Sequence, residues 1–362
     1  MDKSQSPADG LTGFVLSETS LHKKVRLDSD ELKNNRVFAL SQNLWGENER
    51  TSAIWLRPCY ADFAKIVRRK MRQPKGDVLI SGSRGTGKSI FGLLMVLELL
   101  DSGKIVLYEH KGRKMLVVGP SSGPGQLEAL ARCCREKSYE VVVEEGVYQF
   151  DSRDDGLWNR LTEVEVLTHV QDLGEDRSAK VTRSGNGRKL ILASPNNNQL
   201  SQLHSEMKLL KLFMPRWDLD ELREARAACF PAVSESTMLE SFESYGGIVR
   251  FVLEMNPVDV RYIVKKAMDT LTIEDLANIF RTPDFLNVPA QSSTGYFIHV
   301  VPCEKLEGTS LGDPEVDALV QKYGWFQCVF ATEAIQKSLV ERFVSDQSFS
   351  VQKFSAAVER YF

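Results

Sequence analysis

No run in this sequence is apolar for the roughly 18 residues that a membrane-spanning helix requires, so no membrane span is expected. The opening residues, Met1-Asp2-Lys3-Ser4-Gln5-Ser6-Pro7, lack the apolar core of a secretory signal. Histidine is scarce, at five in 362 residues, so imidazole-rich metal centres have little to draw on. The six cysteines, Cys59, Cys133, Cys134, Cys229, Cys303 and Cys328, form no C-x-x-C pair and have no histidine at zinc-finger spacing. They read as reduced, mostly buried thiols of an intracellular protein, which excludes a disulfide scaffold and a zinc module. Charge of one sign is also missing. A net charge of −3 carries no global basic signature of a nucleic-acid binder. Basic clusters are local, at His22-Lys23-Lys24-Val25-Arg26 and from Lys65 to Arg72. The second reads as the wet face of a helix with Tyr60, Phe63, Ile66 and Val67 on its other side. Internal repeats and low-complexity tracts are absent, and the length suits two or three domains with sizeable cores.

What is present begins with Gly82-Ser83-Arg84-Gly85-Thr86-Gly87-Lys88-Ser89, a complete G-x-x-x-x-G-K-[ST] motif. Asp77-Val78-Leu79-Ile80-Ser81 before it reads as a buried parallel strand, and Ile90 to Leu100 after it as a buried helix. Strand, glycine loop and helix are the context in which this motif binds phosphate. Glycines let backbone N–H groups close on phosphate oxygens, and the helix N-terminus adds positive potential. Lys88 is expected to reach the β- and γ-phosphates, and Ser89 to place its hydroxyl on Mg²⁺. All eight residues are candidate nucleotide contacts.

The predicted organisation is an α/β chain in four parts: a polar leader over 1–50, a parallel-sheet P-loop core over 51–200, a helical lid over 201–272 and a mixed α/β region over 273–362. In the core, Lys104–Glu109 and Met115–Gly119 read as a hairpin, Gln126–Glu136 as a helix, and Val141–Val143 with Val147–Asp151 as a strand pair. Val164–Asp172 and Lys189–Asn196 read as strands with polar tips. From about Leu200 to Leu271 the pattern is mainly helical, and Asp218 is an N-cap signal. Gly295–Val301 reads as a strand; Glu333–Val344 and Val351–Phe362 read as helices.

Hydrolysis needs a metal-ordering carboxylate at a strand end and a group that positions water. Asp172 and Asp151 compete for the first role. Asp172 is preferred because its strand precedes the Ser194-Pro195-Asn196 strand. Glu175 or Asp176 could act as general base. Asn196 is the candidate γ-phosphate sensor, although Pro-Asn is also ordinary turn chemistry. Arg250, in Gly246-Gly247-Ile248-Val249-Arg250, is the candidate lid arginine for stabilising phosphate charge. Arg216 competes with it more weakly. A lone strand histidine such as His169 reads as a packed residue.

Taken in order, Trp55-Leu56-Arg57-Pro58-Cys59-Tyr60, the P-loop, Ser194-Pro195-Asn196, Phe213-Met214-Pro215-Arg216-Trp217-Asp218-Leu219-Asp220-Glu221-Leu222, Gly246-Gly247-Ile248-Val249-Arg250 and Val329-Phe330-Ala331-Thr332-Glu333 form a series. It resembles the NTPase region shared by crinkler effectors and retrotransposon-hot-spot proteins, over about residues 50 to 340. The resemblance implies a STAND/AAA-like P-loop ATPase, with Lys88 and Ser89 on nucleotide and metal, Asp172 as the Walker B acid and Arg250 as the lid arginine. It also implies a secreted effector that acts in a host cell, many members in the host nucleus, with links to DNA damage and cell death. Host nuclear proteins, DNA and a second copy of the chain are the partners it suggests. Two family features are missing: a Leu-Phe-Leu-Ala-Lys-like motif in residues 1 to 60, and a P-D-x(n)-(D/E)-x-K nuclease core after about residue 273. Thr168, His169 and Gln171 also stand where a Walker B strand is usually apolar. The expected function is Mg²⁺-dependent hydrolysis of ATP or GTP. The competing readings are a nucleotide-gated switch with slow turnover and a DNA-acting effector licensed by the ATPase.

Overall fold

The computed structural model describes residues 12–14, 27, 36–39, 53–73, 76–110, 112–136, 146–150, 155–174, 181, 188–194, 209–272, 275–276, 294–304 and 309–345. The chain is α/β. Its strands are β1 (Thr12–Phe14), β2 (Val37–Ala39), β3 (Ala53–Trp55), β4 (Val78–Ser81), β5 (Val106–His110), β6 (Arg113–Val118), β7 (Gly146–Phe150), β8 (Thr168–Asp172), β9 (Arg188–Leu192), β10 (Leu210–Phe213), β11 (Ile298–Cys303) and β12 (Trp325–Phe330). Its α-helices are α1 (Cys59–Met71), α2 (Lys88–Asp101), α3 (Pro124–Glu136), α4 (Asp155–Thr162), α5 (Leu219–Cys229), α6 (Glu235–Tyr245), α7 (Pro257–Thr270), α8 (Pro314–Tyr323) and α9 (Glu333–Ser345). One 8-stranded sheet has the order β1-β7-β6-β5-β8-β9-β4-β10; β2 pairs with β3, and β11 with β12. No helix among the described residues is long and apolar enough to cross a membrane.

Two compact units divide the chain. The first is Met1–Leu79, Ser89–Ala193 and Lys208–Leu210; the second is Ile80–Lys88, Ser194–Met207 and Lys211–Phe362. In the first unit, β5, β8 and β9 run parallel, with Leu107 opposite His169 and His169 opposite Lys189. The expected hairpin is β5–β6, antiparallel, turning at Gly112 with φ +77°. β7 pairs antiparallel with β6 and with β1, so the polar leader does contribute a strand. The Val141–Val143 strand expected beside β7 lies outside the described residues.

Ile105, Leu107 and Phe150 bury together with Leu130 and Cys133 of α3 and Trp158 and Leu161 of α4. The rings of Phe150 and Trp158 meet edge to face with centroids 5.4 Å apart, a preferred aromatic geometry. Helix α2 is apolar on nearly all sides, as a helix buried between layers must be. Gly92 lets it lie close to Leu192 and Val170, because a Cβ there would overlap the Leu192 side chain. Arg68 on α1 clamps Glu98 on α2 with two guanidinium nitrogens, one donating to Glu98 Oε2 at 2.6 Å.

The second unit packs α6, α7, α9 and β11 around Phe251, Val260, Phe297, Ile335 and Leu339. Its helices begin where their caps dictate. Asp218 and Glu221 form a reciprocal capping box on α5, Ser234 accepts from Thr237 N–H on α6, and Asn256 with Pro257 opens α7.

Several expectations change in detail. The strand expected over Val164–Asp172 begins only at Thr168, because Val164 to Leu167 turns out of α4. The segment expected to be helical after Leu200 contains β10, whose four residues are too few to set either a strand or a helix period. Within the mainly helical stretch expected to Leu271, the double glycine leads into a five-residue π-turn, Arg250–Glu254, closed by Met255 N–H donating to Arg250 O at 2.9 Å. The helix expected over Val351–Phe362 lies outside the described residues.

Candidate phosphate-binding site

Strand β4 is buried along its whole length and delivers the chain into Gly82. The loop then needs backbone that side chains rarely allow. Gly82, Gly85 and Gly87 have φ of +142°, +68° and +95°, which glycine adopts without steric cost. Helix α2 starts directly at Lys88. Lys88 is buried and curls back over the loop, its Nζ donating to Gly82 O and Ser83 O at 2.7 Å each. The Thr86 hydroxyl donates to Ser83 O at 2.9 Å, bracing the turn. Ser89 follows as the second residue of the helix and is half-buried.

Three further segments of the second unit hold this loop. Ser83 Oγ accepts from Val300 N–H at 2.8 Å, which docks β11 on the turn. Arg84 stands 5.7 Å from the Tyr296 ring centroid and donates to the Tyr296 hydroxyl at 3.4 Å. Met214 N–H donates to Ser81 O at 2.7 Å, and Trp217 Nε1–H donates to Gly85 O at 3.1 Å. Around Gly85, the direction a Cβ would take is closed by the Ile248 side chain at 2.8 Å and by Arg250 Cβ at 3.5 Å. The double-glycine segment with Arg250 therefore lies against the P-loop. Arg216 instead donates to Ala331 O at 3.3 Å.

Asp172 belongs to the first unit. It closes β8 and is buried, with Oδ2 2.9 Å from His110 Nδ1 and Oδ1 accepting from Gly174 N–H at 3.0 Å. Burial and the Asp172 charge push the Tyr108 hydroxyl well above its ordinary pKa. Asp151, Glu175, Asp176 and Asn196 lie outside the described residues.

The polar residues that interrupt the expected apolar pattern of β8 have their own use. Gln171 Nε2 donates to Glu109 Oε2 at 2.9 Å. His169 sits edge-on to Trp158 and 3.7 Å from Glu109 Oε2, too far for a hydrogen bond. Burial, with Lys189's charge adding to it, lowers the His169 pKa to about 4. Lys189 is fully buried and is lowered to about 7 by burial, against the pull of Glu109 and Asp77. Asp77 Oδ1 accepts from Lys189 N–H at 3.0 Å, and burial raises its pKa. Sequence reading missed this cluster. Its only signal was charged residues inside otherwise apolar strands.

The loop itself suits a phosphate, with three glycines at positive φ and a buried Lys88 side chain turned over it. Within the first unit, Ser89 and Asp172 are each oxygen donors of the kind Mg²⁺ takes. Among the described residues, no group of three or more His, Cys, Asp and Glu could hold a metal by itself. A Mg²⁺ bound through one or two protein oxygens plus phosphate and water needs no such group. No family model matches the chain, and no curated protein matches it.

Proposed function

We propose that the chain is a P-loop nucleoside triphosphatase acting on ATP or GTP with Mg²⁺. The observation that carries the reading is the Gly82–Ser89 loop, with three glycines in positive-φ backbone and a buried Lys88 ammonium folded over the turn. Lys88 exchanges two carbonyl oxygens for phosphate oxygens, a stronger, charge-assisted partner. Ser89 and Asp172 would hold Mg²⁺, which would supply neutralisation of phosphate charge. Arg250 stabilises charge on the γ-phosphate, Glu175 activates water and Asn196 senses the phosphate. Catalysis by such a set is positioning and electrostatics, with no covalent intermediate. Phosphate release with Mg²⁺ and ATP or GTP, beside Lys88→Ala, tests this. Turnover lost in the variant supports the reading; turnover that survives it removes the P-loop assignment.

A second reading, a nucleotide-gated switch with slow hydrolysis, is favoured by one observation. Both Asp172 oxygens already accept, from His110 and from Gly174 N–H. Those two bonds fix the orientation of the carboxylate, so a cation must come to the lone pairs they leave rather than draw the side chain to itself. Lys88-dependent binding without turnover would select this reading.

By resemblance, we further propose a crinkler-like effector that works inside a host cell, in its nucleus, on DNA-directed processes leading to cell death. Cleavage of supercoiled plasmid with and without ATP tests the DNA-directed part. Partnership with host nuclear proteins and self-association belong to the same proposal.

A further inference from the structure

Trp217 occupies a position that the nucleotide reading leaves without a role. It stands immediately before the Asp218–Glu221 capping box, in which Glu221 N–H donates to Asp218 Oδ1 at 2.7 Å and Asp218 N–H donates to Glu221 Oε2 at 3.0 Å. On its other side, Met214 is pinned to the end of β4 through Ser81 O. The residue is thus fixed from both directions and is 6% exposed. From there it makes two bonds to two different segments. Its backbone N–H donates to Gly247 O at 2.9 Å, and its indole Nε1–H donates to Gly85 O at 3.1 Å. Gly247 is held so close that a Cβ would overlap the Trp217 carbonyl oxygen. Gly85 and the Gly247 segment also meet directly, through Ile248 and Arg250 Cβ. Trp217, Gly85 and the Gly247–Arg250 turn therefore form a closed triangle of contacts inside one unit.

We propose that Trp217 is a positioning residue that ties the conformation of the Gly85 peptide to the placement of Arg250, so that nucleotide in the P-loop is reported at its indole. The proposal rests on the nucleotide reading above. A phosphate in the loop acts on its backbone N–H groups, and the Gly85 carbonyl belongs to one of the peptides that must settle around it. Rotating that peptide changes the indole bond. Losing the indole bond frees the Gly85 peptide and slackens its grip on Ile248 and Arg250. Residues 216 to 218 are also where a rigid support is built from a helix cap rather than a mobile loop, as a positioning group needs.

The test uses the full chain, with wild type, Trp217→Phe and Lys88→Ala. Mg²⁺–ATP and Mg²⁺–GTP binding is measured by calorimetry, tryptophan emission is followed through the same titrations, and melting temperature is recorded for each protein. Wild type is expected to bind with a change in emission. Trp217→Phe keeps an aromatic ring but loses the donor. It is expected to bind about fivefold more weakly, from one neutral hydrogen bond, to lose the emission change, and to turn over more slowly at saturating nucleotide. A structural role alone would lower the melting temperature and leave Kd and the emission change in place; that result overturns the proposal while leaving the nucleotide reading intact. Absence of Lys88-dependent binding in the wild type overturns both. Should Trp217→Phe fail to fold, the five tryptophans of ¹⁵N-indole-labelled wild type carry the test by NMR. The indole N–H signal of Trp217, assigned by its through-space contacts with the Gly85–Thr86 peptide, must move when nucleotide binds. If it does not move while binding proceeds, the proposal fails.

Discussion

Buried polar side chains here differ in what meets them. Two carbonyl oxygens accept from the buried Lys88 Nζ at 2.7 Å each. Removing a charge-assisted donor from a phosphate site costs about 1.5–3 kcal/mol. Lys88→Ala is therefore expected to weaken nucleotide binding by about 10- to 100-fold, read as Kd by calorimetry. Unchanged affinity would remove the P-loop assignment. His299 has no such support. It is fully buried, both ring nitrogens lack a hydrogen-bond partner, and burial, with Arg216's charge, lowers its pKa from 6.5 to about 3. The folded state keeps His299 neutral while the unfolded chain protonates near pH 6.5. Above that pH the residue has no titration cost. Below it the unfolded state gains protons first, and stability falls until the folded pKa near 3 is reached. The slope is about 1.4 kcal/mol per pH unit for each such histidine, and His169 behaves alike down to about 4. His299→Phe should flatten part of the acid limb, so the difference in melting temperature between variant and wild type should change between pH 7 and pH 5. Parallel acid limbs would mean that His299 is protonated in the folded protein.

Among the elements, the glycines separate what helix propensity decides from what packing decides. Gly156 lies in α4 with nothing near the position of a Cβ. Gly156→Ala is expected to stabilise the chain by about 0.5–1 kcal/mol, since alanine is the better helix former. Gly92 lies inside α2, and the same change there should destabilise, because the new Cβ would overlap Leu192. Thermal unfolding of the two variants should shift in opposite directions; a common direction would show that the approach of α2 to β9 is looser than described. This contrast also explains what was readable in advance. The P-loop, its strand and its helix were legible because the signal is contiguous: eight residues with an apolar run on each side. The β5–β6 hairpin and the Asp218 cap were legible for the same reason. β10, α8 and β12 were not. Leu210-Lys211-Leu212-Phe213 is too short to carry a period, and β12 takes its identity from pairing with β11. The supports of the P-loop were least legible of all. Ser83 meets Val300 across 217 positions and Gly85 meets Trp217 across 132, separations at which no local pattern records the contact. The polar residues of β8 looked like defects of a Walker B strand, yet Gln171 spends its side chain on Glu109, and the partner strand could not be known from β8 alone.

For the whole molecule, net charge sets what binding can look like. At −3 the chain has no global attraction for polyanions, so any association with DNA must come from a local basic patch and should weaken steeply with salt. A nucleotide is different, because a P-loop gathers donors locally whatever the net charge. A ligand that binds only the folded chain stabilises it by RT ln(1 + [L]/Kd), about 2.7 kcal/mol at a hundredfold excess over Kd. For domains of this size 1 kcal/mol corresponds to about 2–4 °C, so saturating Mg²⁺–ATP or Mg²⁺–GTP should raise the melting temperature by roughly 5–10 °C. The rise should grow with the logarithm of nucleotide concentration, shrink to roughly 1–5 °C in Lys88→Ala and fall when EDTA removes the cation. An undiminished rise in Lys88→Ala would place nucleotide somewhere other than the P-loop. A rise with Lys88 but without hydrolysis would identify a switch, in which the free energy of binding itself, held in the Arg250 turn and its Trp217 anchor, is the output.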